Sequence, residues 1–198
     1  MKIIGITGGI GSGKSTISKI LEEHYKAYII DTDTIAHKLM SNGNISYQLI
    51  LEYFGDEILN EDKEIDRVKL GKLVYGNKEK LIKLNSFTHP YVMDHVKDLI
   101  QIHKDMYPII GVETALPLEA KLKSFCDEIW FVYAPIDIRK KRLMDSRGYS
   151  NEKMESIFSK QISDREYEKL STHIINNDGN MDKILKEIQV SIEKNDCL

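Results

Sequence analysis

A glycine-rich segment near the amino terminus carries the residue types that bind phosphate groups. Its sequence, Gly8-Gly-Ile-Gly-Ser-Gly-Lys14-Ser15, matches the pattern G-x-x-x-x-G-K-[ST]. Such a loop turns successive backbone N–H groups into one concavity, and the helix that follows adds positive charge beneath it. The pattern predicts a nucleoside triphosphate site in which Lys14 reaches the β- and γ-phosphates and Ser15 binds Mg²⁺. The residues predicted to bind the triphosphate here are Gly9, Ile10, Gly11, Ser12, Gly13, Lys14, Ser15 and Thr16.

Two carboxylates follow the second apolar run, Tyr28-Ile-Ile-Asp31-Thr-Asp33. Ligands of parallel sheets bind at the carboxyl ends of the strands, so both acids are expected near the phosphate loop. Asp33 could accept the proton of an acceptor hydroxyl, while Asp31 could orient Mg²⁺-bound water or the loop. The alternative is that Asp33 is the N-cap of a helix predicted over 35–40.

A basic stretch later in the chain could stabilise a transferring phosphoryl group. Arg139-Lys-Lys-Arg142 places two arginines on one helix face, because residues three apart are neighbours on a helix. Further cations follow at Arg147, Lys160 and Arg165. The pattern favours a lid over residues 136–170 in which Arg142 holds developing charge. The alternative is a solvated helix surface.

The phosphate loop alone does not define the reaction. A GTPase needs Asn-Lys-x-Asp after a late strand, and the nearest match, Asn77-Lys-Glu-Lys80, lacks the carboxylate. A motor ATPase would show an acid after a longer apolar strand than the one that ends at Glu113. The sequence favours a compact kinase of a small metabolite. A nucleotide-gated binding protein is the alternative outside the enzymes.

Composition excludes several other classes. The chain has 198 residues and a formal net charge of −3, which argues against a nucleic-acid partner. Its two cysteines, Cys126 and Cys197, have no metal-ligand spacing. No apolar run is long enough to span a membrane, so we expect a cytoplasmic protein. We expect a monomer or weak homo-oligomer.

The predicted elements explain how these residues are positioned. Strands are predicted over 2–7, 27–30, 108–113, 128–133 and 173–175. Helices are predicted over 14–25, 35–40, 45–54, 67–75, 78–87, 90–106, 136–145, 152–161, 164–170 and 182–193, with a break at His89-Pro90 and a short helix or turn over 118–125. Alternating strands and helices predict an α/β fold, a five-stranded parallel sheet of the P-loop kinase type with helices on both faces. The chain is predicted to be one domain, 1–198, with a helical insertion over about 35–106 and the lid.

These residues resemble the dephospho-coenzyme A kinases over nearly the whole chain. The likeness is carried by Ile6-Thr-Gly-Gly-Ile-Gly-Ser-Gly-Lys-Ser-Thr16, Ile30-Asp31-Thr-Asp33, Ile65-Asp-Arg67-Val-Lys-Leu70, His89-Pro90, Arg142-Leu-Met144, Gln161 and Ile175-Asn-Asn177. The resemblance implies transfer of the ATP γ-phosphate to the 3′-hydroxyl of dephospho-CoA, with Asp33 as the general base. It implies that Asn177 borders the adenine of ATP, that the insertion binds the acceptor, and that the acceptor-binding residues are Thr7, Asp33, Arg67, His89 and Glu119.

Three features depart from the family pattern. A basic residue that the family has six positions after Gln161 is replaced by Tyr167. The family's Pro-Leu-Leu-Phe-Glu appears as Ala115-Leu-Pro-Leu-Glu119, and the second lid arginine, Arg147, is displaced by one residue. A related P-loop kinase of a nucleoside, nucleotide or other small metabolite is therefore the alternative enzyme.

Overall fold

A computed structural model describes residues 1–114 and 122–193. The chain forms two compact units. The first unit combines Met1–Ile30 with His103–Leu198, and the second is Asp31–Ile102. The second unit nearly coincides with the insertion predicted over 35–106. That the two units form one functional domain stays a prediction.

A five-stranded sheet forms the centre of the first unit. Its strands are β1 (Lys2–Thr7), β2 (Tyr28–Asp31), β3 (Ile109–Glu113), β4 (Glu128–Tyr133) and β5 (His173–Asn176), in the order β2-β3-β1-β4-β5. β1 pairs in parallel with β3 and β4, and β4 pairs in parallel with β5. The predicted five-stranded parallel sheet is confirmed, and all five strands begin and end within one residue of the predicted bounds.

Helices fill the connections between these strands. In the described parts of the chain they are α1 (Lys14–Tyr25), α2 (Thr32–Leu39), α3 (Ile45–Phe54), α4 (Arg67–Val74), α5 (Lys78–His103), α6 (Ile136–Arg147), α7 (Asn151–Phe158), α8 (Asp164–Leu170) and α9 (Met181–Glu193). None of these helices is both long enough and apolar enough to cross a membrane.

The core of the first unit lies between the sheet and two helices. Inward-facing residues of the central strands are fully buried, and they pack with apolar residues of α1 and α9. The cluster includes Ile4, Ile6, Trp130, Val132, Ile17, Leu21, Ile184 and Ile188. Because β1 and α1 both contribute to this core, the turn that joins them has fixed ends.

The second unit has its own small core. Ile50 and Phe54 of α3 pack with Leu70 of α4 and with Ile58, which lies in a short 3₁₀ turn. Asp66 caps α4, since its carboxylate accepts hydrogen bonds from the N–H groups of Val68 and Lys69. These bonds lower the pKa of Asp66, the Lys69 N–H being the largest cause. This cap fixes the start of the helix that the sequence predicts over 67–75.

Two predictions of helix geometry are wrong. The break expected at His89-Pro90 does not occur, because α5 runs without interruption through Pro90. Pro90 removes the hydrogen bond to the carbonyl four residues earlier and its ring crowds that carbonyl, but the burial of Val92, Met93 and Val96 on the following turns favours continuation. In addition, α2 begins at Thr32, three residues before the predicted start. Residues 118–121, half of the short helix or turn predicted over 118–125, lie outside the described residues, and residues 122–125 form a turn.

Candidate active site

The phosphate loop lies between β1 and α1 and closes on itself. The N–H of Ser12 donates to the carbonyl of Gly9 over 3.2 Å, and Lys14 Nζ donates to the carbonyl of Gly8 over 2.8 Å. The carbonyl of Gly13 accepts the N–H of Thr16, which starts the helix. Lys14 thus spans the concavity of the loop, where an anion would meet its ammonium group.

The last loop glycine is required by its surroundings. Gly13 has φ of 89°, a left-handed conformation that residues with a side chain rarely adopt. A Cβ there would also lie 2.1 Å from Asn177 Nδ2. The amide of Asn177 donates to the carbonyl of Ser12 over 2.8 Å, so it can approach only because residue 13 is glycine.

Arg142 binds the same part of the loop. Its guanidinium donates to the carbonyls of Gly11 and Ser12 over 3.4 and 3.2 Å, and to the backbone and side-chain oxygens of Asn177 over 3.1 Å each. In a trans peptide the N–H points opposite to the carbonyl oxygen. The N–H of Gly13, which shares a peptide with the Ser12 carbonyl, therefore points away from Arg142 and Asn177.

The hydroxyls around the loop differ in exposure. Ser15 is exposed at the second residue of α1, whereas Ser12 and Thr7 are buried. The side-chain oxygens of Ser12 and Thr7 have no hydrogen-bond partner within residues 1–114 and 122–193. A groove of about 610 Å³ begins beside Ser15 and Thr16 and continues between α1 and α9, where Met181 and Leu185 line it.

In the second unit, the structure assigns capping to Asp31. Its Oδ1 accepts from the N–H groups of Asp33 and Thr34 over 2.9 and 3.3 Å, and its Oδ2 accepts from Thr34 Oγ1 over 2.7 Å. The N-cap alternative for Asp33 is therefore wrong, because α2 begins earlier than predicted. Asp33 is a half-buried residue in the first turn of α2.

The other acceptor-binding candidates are placed as follows. Arg67 is the first residue of α4, and its Nη1 lies 2.9 Å from His37 Nε2. Because a guanidinium only donates, this ring nitrogen is the acceptor in the hydrogen bond. His89 is half-buried in the middle of α5. Glu119 lies outside the described residues. The sequence reasoning missed His37, although its position one helical turn after Asp33 places both on one face of α2.

The chain matches one protein family over nearly its whole length. The family model of dephospho-CoA kinase matches residues 2–183. The chain belongs to the dephospho-CoA kinase family. A dephospho-CoA kinase of Carboxydothermus hydrogenoformans is 42% identical over 195 residues, which are 98% of this chain and 94% of that protein. One of Dehalococcoides mccartyi is 35% identical over 191 residues, 96% of each chain.

Solved structures support the same fold. A Thermus thermophilus protein, TT1252, matches with a TM-score of 0.82 and 26% identity, covering 98% of this chain and 96% of that one. The dephospho-CoA kinase of Campylobacter jejuni matches with a TM-score of 0.62 and 27% identity, with the same coverage. A shikimate kinase from Acinetobacter baumannii has a TM-score of 0.61 at 16% identity over 100% of this chain and 96% of its own, a likeness of fold alone. The predicted ATP-dependent kinase of the P-loop type is confirmed.

For this member of the dephospho-CoA kinase family, the structure separates the basic residues of α6. Arg139 and Arg142 share one face, as predicted, and both guanidinium groups bind the phosphate loop or its neighbours. Arg147 is exposed, with its guanidinium 5.9 Å from the ring centre of Tyr149. The solvated-surface alternative therefore fails for Arg139 and Arg142, because Arg139 is buried and Arg142 partly so.

Proposed function

We propose that this enzyme transfers the γ-phosphate of ATP to the 3′-hydroxyl of the ribose of dephospho-CoA, the last step of coenzyme A biosynthesis. The observation that carries the proposal is the extent of the family match. It covers residues 2–183, so it includes the whole unit Asp31–Ile102 as well as the phosphate loop. A likeness restricted to the nucleotide site would support only a P-loop kinase.

The phosphate loop fits the triphosphate of ATP. Lys14, the N-terminus of α1 and the N–H of Gly13 supply positive charge and donors, and the hydroxyl of Ser12 is a further donor. We propose that the adenosine lies beside Asn177 and the groove that begins at Thr16. The list of ATP contacts is that predicted from the sequence, Gly9, Ile10, Gly11, Ser12, Gly13, Lys14, Ser15, Thr16 and Asn177.

The loop also fits a magnesium ion. Mg²⁺ prefers oxygen ligands and is commonly held by a hydroxyl together with substrate phosphates. Ser15 is the residue that would hold it, because its side chain is exposed beside the loop. When bound, Mg²⁺ neutralises charge on the β- and γ-phosphate oxygens. Apart from the phosphates themselves, no cluster of three or more histidine, cysteine or acidic side chains among the described residues offers an alternative metal site.

Asp33 is proposed as the general base. The 3′-hydroxyl loses its proton to the Asp33 carboxylate while its oxygen bonds to the γ-phosphorus. The bond from that phosphorus to the bridging β,γ-oxygen breaks, and ADP leaves with the electron pair. Lys14 is proposed to hold the negative charge, and Arg142 would share that role only after leaving its hydrogen bonds to the Gly11 and Ser12 carbonyls. A lid over residues 136–170 would exclude water and so suppress hydrolysis of ATP.

Acceptor recognition is proposed for Thr7, Asp33, Arg67, His89 and Glu119. Arg67 is suited to a phosphate oxygen of dephospho-CoA, because it is exposed and its guanidinium is oriented by His37. Thr7 is fully buried, so its contribution would be made through the end of β1 rather than by an exposed hydroxyl.

The remaining attributes are also proposals. We propose a single P-loop kinase domain over 1–198, cytoplasmic, a monomer or weak homo-oligomer, with no nucleic-acid or membrane partner. The net charge of −3 supports the absence of a nucleic-acid partner, and no described helix is long and apolar enough to cross a membrane.

An acceptor panel tests the proposed function. ADP release is coupled to an optical assay with dephospho-CoA, nucleosides, nucleotides and shikimate, each at the same concentration. We expect stimulation by dephospho-CoA well above every other acceptor. Equal or greater stimulation by another acceptor would favour a different small-molecule kinase, and no stimulation by any acceptor would favour a nucleotide-gated binding protein.

A further inference from the structure

Both polar groups of Ile10, at the tip of the phosphate loop, are bound by side chains from the later part of the chain. The N–H of Ile10 donates to Gln161 Oε1 over 3.2 Å. The carbonyl of Ile10 accepts from Arg139 Nε over 2.9 Å. Arg139 Nη2 in turn donates to Gln161 Oε1 over 3.0 Å, which closes a ring of three hydrogen bonds. Arg139 lies on α6 and Gln161 lies between α7 and α8.

Burial and several contacts hold the Arg139 side chain in this position. The residue is 6% exposed, its Nη1 lies 3.5 Å from Asp164 Oδ1, and its guanidinium carbon lies 4.9 Å from the ring centre of Phe158. Burial lowers the pKa of the guanidinium, and the carboxylate of Asp164 opposes that shift. An arginine remains charged under both influences. A buried cation with a carboxylate, an aromatic face and two oxygen acceptors is an ordered group rather than a surface charge.

At Gly9 the loop has room for the Arg139 guanidinium but not for a side chain of its own. A Cβ on Gly9 would lie 2.1 Å from Arg139 Nη2. The guanidinium therefore packs directly against the backbone of the loop.

The hydrogen bond from Arg139 orients the peptide that follows Ile10, and Gln161 binds the N–H of the peptide that precedes it. Because the peptide after Ile10 is trans, a carbonyl directed at Arg139 turns the N–H of Gly11 to the opposite side. Arg142, one turn later on the same helix, orients the peptides after Gly11 and Ser12 in the same way. The two arginines of α6 thus set the direction of successive N–H groups in the loop.

We propose that Arg139 and Gln161 are positioning residues. They hold the backbone N–H and carbonyl of Ile10 and thereby give the phosphate loop the geometry in which it binds the triphosphate. The proposal rests on the proposed use of ATP, but it does not depend on which acceptor receives the phosphate. The two side chains act through the loop and need no contact with the substrate.

Triphosphate binding in the absence of an acceptor tests the proposal. The variants are Gln161→Met, which removes the acceptor oxygen at similar volume, Gln161→Glu, which keeps it, and Arg139→Met. Affinities for inorganic tripolyphosphate and for ATP are measured by calorimetry on the full chain, below the melting temperature of each variant. Since a hydrogen bond to a charged group is lost, we expect Gln161→Met and Arg139→Met to weaken both affinities about 10- to 100-fold. Gln161→Glu should stay within about threefold of the unaltered chain.

Steady-state kinetics give a second readout. KM for ATP should rise in Gln161→Met, while KM for the acceptor should change less than about twofold. Arg139→Met combined with Gln161→Met should weaken both affinities little more than either single substitution, because the two side chains bind the backbone of Ile10 and each other. Lys186→Met, which removes an exposed cation from α9, is the matched control and should leave both affinities unchanged.

The proposal is overturned if Gln161→Met melts at a lower temperature but binds tripolyphosphate and ATP as the unaltered chain does. It is equally overturned if Gln161→Glu loses as much affinity as Gln161→Met. Failure of the acceptor panel would leave these binding results untouched, so the two proposals can fail separately.

Discussion

The two carboxylates after β2 should respond in opposite ways to substitution. Asp31→Ala removes an acceptor that binds the N–H of Asp33 over 2.9 Å, the N–H of Thr34 over 3.3 Å and the hydroxyl of Thr34 over 2.7 Å. Loss of such an N-cap costs about 1 kcal/mol, and at most about 2 kcal/mol. For a chain of this length, 1 kcal/mol lowers the melting temperature by about 3 °C. Because the Asp33 carboxylate itself is retained, kcat should fall less than about tenfold.

Asp33→Asn should show the reverse pattern. The variant keeps the Asp31 cap and the length of α2, so its melting temperature should change by no more than about 2 °C. Removal of a general base costs on the order of 10²- to 10⁴-fold in rate, so kcat should fall by that factor while the affinity for ATP stays within about threefold. Both variants are measured by thermal unfolding, ATP calorimetry and coupled ADP release. The reasoning is refuted if Asp33→Asn keeps near-normal kcat, or if Asp31→Ala is as stable as the unaltered chain.

Three further changes test the packing around the site and in the core. Gly13→Ala should destabilise the fold by about 1–3 kcal/mol and weaken ATP binding, because φ of residue 13 is 89° and the new Cβ would lie 2.1 Å from Asn177 Nδ2. An unchanged midpoint of unfolding in urea would contradict this. Glu128→Gln should lower the free energy of unfolding by about 1–3 kcal/mol, because the buried carboxylate accepts from Trp130 Nε1 over 2.7 Å and lies 3.2 Å from Lys2 Nζ. A variant as stable as the unaltered chain at both low and high salt would contradict this. Burial raises the pKa of the Cys126 thiol to about 12. The stability that the neutral thiol provides should therefore be lost as the pH rises from about 9 towards 12. The stability of a Cys126→Ala variant should not fall for this reason over the same pH range.

The strands and the phosphate loop could be predicted because their signals are local. β-Branched runs and a glycine pattern with a fixed lysine leave few alternatives, and the predicted strand 2–7 and helix 14–25 match β1 and α1. The resemblance to the dephospho-CoA kinases extended the prediction from the nucleotide site to the reaction. These inferences needed no knowledge of which residues meet across the fold.

The contacts that hold the loop could not be predicted, because they join residues far apart in the sequence. Arg139 was expected to face phosphate, but its partners are Ile10 and Gln161, which lie 129 and 22 positions away. A run of basic residues indicates charge without showing which side chain is buried. Similarly, the assignment of the cap to Asp31 rather than Asp33 depends on where α2 begins, and the boundaries of helices are the least certain part of a sequence-based prediction.

The most direct test of the central claim is the position of the transferred phosphoryl group. ATP and dephospho-CoA are incubated with the enzyme, and the product is analysed by mass spectrometry and ³¹P nuclear magnetic resonance, with 3′-deoxy-dephospho-CoA as the matched control acceptor. We predict one phosphoryl group on the 3′-oxygen, formed in proportion to ADP, and no product from the 3′-deoxy compound. Phosphorylation at another oxygen, or ADP formed without a phosphorylated acceptor, would contradict the proposed reaction.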